Sequence, residues 1–219
     1  MKIAPAAALQ LLHAQHHATL ATHSQQLPGY PYATVLPYVL DEQQRPLLLI
    51  SALAEHTRNL LADGRCSLSV LEAGASDVQA AARLTLLADA VRFEPDALLR
   101  QRFLRYQPAA EQLLQLDFMF FRLQPIRLRY IGGVGRMGWL EAAELAGVCL
   151  SLQQEADWLA QAHVPDGVCL LGMDAGGVDY RLDDEVGHRR QPWQDGLRLE
   201  AELGAVRQAL LAGLGSDLA

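Results

Sequence analysis

The run from Ala18 to Val70, ATLATHSQQLPGYPYATVLPYVLDEQQRPLLLISALAEHTRNLLADGRCSLSV, constrains the fold of this chain most. Short apolar stretches alternate with tight polar turns, and only one segment has helical character. Ala18–Thr22 reads as a strand, Ser24–Gly29 as a polar turn and Tyr32–Leu40 as a second strand. Asp41–Arg45 is a tight connection, and Pro46–Ser51 is a third strand that is apolar throughout. Ala54–Ala62 reads as a helix stopped by Ala-Asp-Gly, and Cys66–Leu71 as the next strand. The polar cluster Ser51, His56, Thr57, Arg58 and Asn59 falls where the third strand meets the helix. Free backbone N–H groups and the positive end of the helix dipole make such a junction favourable for a phosphate or carboxylate. The same residue types also serve simply as helix caps.

The rest of the chain extends this pattern. Residues 5–17 read as an opening helix with Leu9, Leu11 and Leu12 on its apolar face. Ala82–Phe93 is a strand long enough to carry a bulge or bend. Glu94–Tyr106 is helical with Pro95 in its first turn, and Pro108–Leu116 forms a second helix. Phe118–Leu123 and Ile126–Ile131 read as strands broken by Gln124-Pro125. Six or seven strands with hairpin-length links and no βαβ rhythm predict a closed antiparallel barrel. After Gly138 the pattern changes. Trp139–Ala146 and Leu150–Ala162 look helical, Gly167–Asp174 and Gly177–Leu182 form a hairpin, and Gly204–Leu214 is a closing helix. This predicts an α+β chain of two domains, a barrel over 1–140 and a small α+β unit over 141–219.

Charge steps at the same place. Residues 1–140 carry a net +2 and residues 141–219 a net −9, which together give the overall −7. An anionic cofactor therefore belongs on the N-terminal side. The acidic balance, without a basic stripe, argues against nucleic acid as a partner. No apolar run approaches the roughly 20 residues of a membrane span, and the N-terminus lacks the pattern of a signal peptide, so no membrane partner and a cytoplasmic location are expected. Lys2 is the sole lysine, which all but closes Schiff-base chemistry.

Cys66, Cys149 and Cys169 lack paired spacing and read as inert thiols, not a zinc site or disulfide framework. His13, His16, His17 and His23 suggest a metal by count, and His13 and His17 share a helical face, but no carboxylate is near; a solvated or dimer-contact face is expected, with no metal. Gly133-Val-Gly135-Arg-Met-Gly138 matches G-x-G-x-x-G but lacks a βαβ setting, so it reads as a glycine turn leaving the barrel. Asp183–Asp184–Glu185 with His188–Arg189–Arg190 reads as a solvated loop, and Trp139, Trp158 and Trp193 as core.

These segments, with QAAARLTLLADA and FMFFRLQPIRLRYIGGVGRMGWL, resemble the FMN-binding split barrel of the pyridoxamine 5'-phosphate oxidase-like superfamily over about residues 15–140. The pattern is most similar to its haem-utilisation branch. The resemblance implies a homodimer with the cofactor in clefts between two barrels. Carried over by position, Ser51, His56 and Thr57, with Asn59 beside them, fall on the phosphate-contacting turn. Arg83 falls on an arginine-bearing strand with Gln79 just before it, and Thr34 and Val35 on the strand lining the flavin. Tyr38 and His56 stand where the oxidase proper has cations, which argues against pyridoxamine phosphate as substrate.

The resemblance makes an FMN-binding protein with flavin-run redox chemistry the leading expectation. Haem binding, with or without haem breakdown, is the alternative, and a non-enzymatic cofactor-binding dimer a third. No side chain stands out as a catalytic acid or base. Haem-utilisation relatives often carry His-Met-Asn-x-Asp-His near the start of the small domain. Here the corresponding segment is EADWLAQAHVPDGV, so His163 is the expected axial ligand if haem binds, and His56 the other candidate.

Overall fold

The computed structural model describes residues 3–133, 135–145, 150–162, 164, 166–174, 176–183 and 187–192. In chain order its elements are α1 (Pro5–Ala14), β1 (His17–His23), β2 (Pro31–Pro37), β3 (Val39–Leu40), β4 (Pro46–Ser51), α2 (Glu55–Ala62), β5 (Arg65–Leu71) and β6 (Ala82–Arg92). They continue with α3 (Ala97–Tyr106), α4 (Ala110–Leu113), β7 (Phe118–Gly132), β8 (Met137–Glu141), α5 (Ala142–Leu145), α6 (Leu152–Gln161), β9 (Val168–Asp174), β10 (Gly177–Leu182) and β11 (Arg189–Pro192). One antiparallel sheet runs β2-β1-β5-β6-β7-β4-β3 with β8 added to β7, and a second runs β11-β10-β9. The chain is thus α+β: a curled antiparallel sheet with helices, followed by a small sheet. The proposed hairpin of β9 and β10 is present, whereas Gly204–Leu214, Cys149, Trp193 and His163 lie outside the described residues.

Strand β7 organises the barrel. β6 pairs along nearly its whole length on one edge. The other edge is shared, with β4 on Phe118–Arg122 and β8 on Arg127–Ile131. Gln124-Pro125-Ile126 lies between these two partners. The expected break there is absent as a break, because the strand runs through; the disturbance appears as a bulge. Leu87 pairs with Arg127 and Ala88 with Pro125, leaving Ile126 without a partner on β6. Proline has no N–H for the ladder, so a bulge is where a sheet tolerates it.

The unbroken apolarity of Pro46–Ser51 has a plain cause, since β4 is covered on both faces. Leu48 and Ile50 point into the barrel core with Leu20, Leu68, Leu86 and Phe121, while Leu47 and Leu49 meet Leu99 and Phe103 of α3. Strands buried on both sides lose the alternation that a half-buried strand shows. Residues 32–40, expected as one strand, divide at Pro37-Tyr38 into β2 and β3, at opposite ends of the sheet path. Tyr38, between them, is buried and donates its hydroxyl to the Leu12 carbonyl at 2.6 Å.

Four further expectations are corrected. Residues 139–141 form part of β8, not a helix, because they complete the free edge of β7, and Trp139 is 45% exposed rather than core. Pro95 precedes the helix, whose N-cap is Asp96, accepting from the Leu99 N–H at 2.9 Å. Helix α1 stops at Ala14, so His17 lies in β1 and does not share a helical face with His13. The stretch around His188–Arg190 is not a solvated loop: His188 and Arg190 pack against the barrel and Arg189 opens β11. Gly133 and Gly135, both at positive φ, form the β7–β8 turn, so the glycine motif is a hairpin turn.

The corrected residues meet in a buried joint between α1 and the small sheet. His13 is 4% exposed, not solvated. Its Nδ1 meets Asp179 Oδ2 at 2.8 Å, and its Nε2 meets Gln44 Oε1 at 2.6 Å and Asp174 Oδ2 at 2.8 Å. Arg190 donates to Asp179 at 2.9 Å, to Asp174 at 2.7 Å and to Gln10 at 2.9 Å. Two carboxylates thus face two cations, and a buried cluster of this kind persists only if every charge is balanced and hydrogen-bonded. Tyr106 donates to Asp179 Oδ2 at 2.7 Å, and beside it Glu155 pairs with Arg102 and Arg105. His188 donates Nε2–H to the His13 carbonyl at 2.6 Å, which leaves its Nδ1 to accept from His16 Nδ1 at 3.0 Å.

Burial alone would discharge His13, but the carboxylates of Asp179 and Asp174 outweigh it and push its pKa up to about 9. Both carboxyls, despite burial, are held below the usual carboxylate range by His13 and Arg190. A raised histidine pKa stabilises fully below the unfolded value of about 6.5, and the contribution disappears as pH rises through about 9. Lowered carboxyl values stabilise above about 3.9 and fail only in stronger acid. The thermal midpoint should therefore fall as pH rises from about 6.5 to 9 and beyond through His13, and fall again below 6.5 as His16 and His188, whose pKa values burial lowers, are forced to take protons. His13→Ala should cost about 3–5 kcal/mol in denaturant unfolding at pH 6, as for other broken buried pairs. A midpoint flat from pH 6 to 10 in the wild-type chain contradicts this assignment.

Candidate functional site

The turn after β4 is shaped by its own hydrogen bonds. Thr57 is fully buried and donates its hydroxyl to the Ser51 carbonyl at 2.6 Å. Ser51 Oγ accepts the Leu53 N–H at 3.2 Å. Asn59, also fully buried, donates to Thr22 Oγ1 at 3.0 Å and accepts the Gln25 N–H at 2.9 Å, tying α2 to β1 and the turn after it. None of these caps α2: its N-cap is Ala54, with no side-chain bond. His56 is half-buried, and burial lowers its pKa. The turn thus offers backbone N–H groups and His56, while Thr57 and Asn59 serve the fold.

Arg83 lies elsewhere. On β6 it pairs with Ile131, whereas Ser51 pairs with Phe118, thirteen residues away along β7. That is roughly 40 Å of strand contour. Its guanidinium donates to the carbonyls of Val78 at 2.7 Å and Gln79 at 3.3 Å, holding the loop before β6; Gln79 is exposed. Thr34 and Val35 are on β2, at the far end of the sheet path from β3 and β4, with Val35 65% exposed. The structure therefore brings Ser51, His56, Thr57 and Asn59 together, and Gln79 with Arg83, but keeps the two groups apart within one chain.

A feature that sequence reasoning missed lies on the outer face of β1, β5 and β6. An open groove of about 420 Å³ is walled by Pro31, Cys66, Leu87 and Ile126, with His23 and Arg65 at its polar end. Its size falls in the usual range for small-molecule sites. Ile126, left without a partner on β6 at the bulge, stands 55% exposed beside this groove. Arg65 pairs with Asp63 at 2.6 Å, an exposed pair of the kind that holds weakly in water. The Cys66 thiol is pushed up to about 12, first by burial and then by Asp89, so it contributes apolar surface and no nucleophile. The signal in the sequence was Pro125, which marks the bulge but does not say which residues it would face.

The histidines now separate. His13 is locked in the ion cluster, and His16 and His188 engage each other. Among the described residues no hydrogen bond engages the rings of His17, His23 or His56, and of these only His23 lines the groove. No group of three potential ligands able to hold a metal ion occurs among the described residues, and no helix there is long and apolar enough to cross a membrane.

A curled antiparallel sheet split between β4 and β8, with its glycine turn and strand-to-helix junction, defines a split-barrel protein. Residues 4–132 match the family described as Pyridoxamine 5'-phosphate oxidase, and the chain belongs to that family. It is 36% identical over 117 residues to the chloroplast heme oxygenase HOZ of Arabidopsis thaliana, covering 52% of this chain and 36% of that protein. It is 32% identical over 130 residues to the heme oxygenase HutZ of Vibrio cholerae, covering 56% of this chain and 73% of that protein. The chain thus spans about a third of the plant relative and about three quarters of the bacterial one. Among solved structures, a heme binding protein from Mycobacterium smegmatis superposes with a TM-score of 0.63 at 27% identity, over 99% of both chains.

Because Asn59 is fully buried and donates to the buried Thr22 hydroxyl, Asn59→Ala should destabilise the chain by about 1–3 kcal/mol. Chemical denaturation measures it, and an unchanged midpoint would show that α2 is tethered some other way.

Proposed function

We propose that this chain binds haem, and that oxidative haem breakdown is the activity to test first. The observation that carries the reading is the likeness to two proteins named heme oxygenases across the barrel, joined by a full-length likeness to a heme binding protein. The groove supports it on chemical grounds. Its apolar walls suit a porphyrin face, an exposed imidazole suits iron, and a guanidinium suits a propionate. Bound haem would supply the redox chemistry, while the chain binds and orients it and keeps water from its faces.

FMN is the second reading, favoured by one specific observation. The N-terminus of α2 carries no side-chain cap, so its N–H groups stay available to a phosphate next to Ser51 and His56. Against it, the hydroxyl of Thr57 and the amide of Asn59 are already committed. A homodimer fits either cofactor. Ser51 and Arg83 stand far apart in one chain, so one ligand meets both sets only across two chains. Beyond the groove, Thr19, Ser69 and Thr85 form one outward row across β1, β5 and β6 that is small-sided enough for close approach of a second sheet.

Titrating haemin into the purified full chain should give a Soret band that saturates at one haem per chain. Flavin absorption in the isolated protein with no Soret response would instead support FMN, and neither spectrum would leave a non-enzymatic dimer. Sedimentation should give a dimer at micromolar concentration, and a monomer that still binds cofactor would contradict the shared cleft.

A further inference from the structure

Resting on the haem reading, we propose that the groove beside the β7 bulge holds the porphyrin, with His23 as the ligand of the iron and Arg65 as partner of a propionate. Three independent observations converge on this placement. The first is elimination. An iron ligand needs a ring nitrogen with a free lone pair. His13 has both nitrogens held by carboxylate and amide oxygens. His188 gives one nitrogen to the His13 carbonyl and the other to His16, and the second nitrogen of His16 accepts the His188 backbone N–H at 3.4 Å. Among the described residues the rings of His17, His23 and His56 stay uncommitted, and of these three His23 alone lines the groove.

The second observation is register. Thr22 pairs with Cys66 and Arg65 with Asp89, so His23, Arg65 and Asp89 form one outward row across β1, β5 and β6. Ala21, Ser67 and Leu87 form the next row. The row therefore sets an imidazole and a guanidinium side by side at one edge of an apolar floor. That order, polar edge then apolar floor, matches the polarity of a porphyrin, whose propionates project from one side of an apolar disc. The acidic neighbours Asp63 and Asp89 would oppose a propionate, and Asp63 is the group Arg65 must release. Its hold is that of an exposed pair, which a better-placed carboxylate can displace.

The third observation is the bulge itself. The bulge shifts the phase of β7, whose core-facing residues are Met119, Phe121 and Leu123 before it and Leu128 and Tyr130 after it, and leaves Ile126 without a partner on β6. Ile126 stands exposed beside Leu87, forming the wall opposite Pro31. A large aliphatic side chain that is turned to solvent on a barrel face has gained nothing by being there. Against the face of a porphyrin it would be buried.

Haemin titration of the full chain, followed by its Soret position, electron paramagnetic resonance and affinity, tests this. His23→Gly should lose the wild-type ligand field and weaken haemin at least about tenfold, and added imidazole should restore the wild-type spectrum. Arg65→Ala should weaken haemin about tenfold to a hundredfold without altering the ligand field, as expected for a lost charge-assisted hydrogen bond. His17→Ala and His56→Ala should match wild type in both. Because His23 and Arg65 are exposed, circular dichroism should be the same in all variants. A wild-type spectrum retained in His23→Gly, or lost instead in His56→Ala or His163→Ala, overturns the assignment while leaving haem binding intact. No Soret band in the wild-type chain overturns the haem reading with it.

Discussion

A proline in the middle of the longest strand is the constraint on which the barrel depends. β7 is the strand that β6, β4 and β8 all share, so whatever disturbs it is felt across the sheet. Pro125 cannot give a ladder hydrogen bond, and the chain accommodates it where β7 passes from β4 to β8. The bulge leaves Ile126 without a partner on β6, and Ile126 lines the groove whose other walls come from β1, β2, β5 and β6.

A second constraint fixes the small sheet against the barrel. The His13, Asp174, Asp179 and Arg190 cluster has balanced charge and is closed to water, so its members are useful only together. Arg102 and Arg105 with Glu155 repeat the logic on α3 and α6, and Arg105 also donates to the Leu171 carbonyl at 2.7 Å. These contacts consume His13, which by count suggested a metal, and Arg190, which read as part of a solvated loop.

The elements whose causes are local could be read from the sequence. The β4–α2 junction, the hairpin over Asp41–Arg45, the β9–β10 hairpin and the helix at 152–161 each follow from turn residues, caps and apolar runs within a few positions. What could not be read depends on distant partners. His13 meets Asp179 across 166 residues, and no spacing within α1 announces that. Tyr32–Leu40 looks like one strand because its division serves two edges of a sheet that only the closed barrel defines. Trp139 looks helical until β7 offers it an edge. The candidate site divides in the same way: the residues of the turn were legible, but the commitments of Thr57 and Asn59, and the groove at His23, arise from packing between strands far apart in sequence.

Haem in the groove on the outer face of the barrel would meet His23 and Arg65 at its polar end. A crystal structure of the chain with haemin bound tests it most directly. The porphyrin is expected on Leu87 and Ile126, with His23 on the iron and Arg65 released from Asp63 to a propionate. Porphyrin bound away from this groove, or seated in it with His23 turned aside and the iron held by another residue, would contradict it.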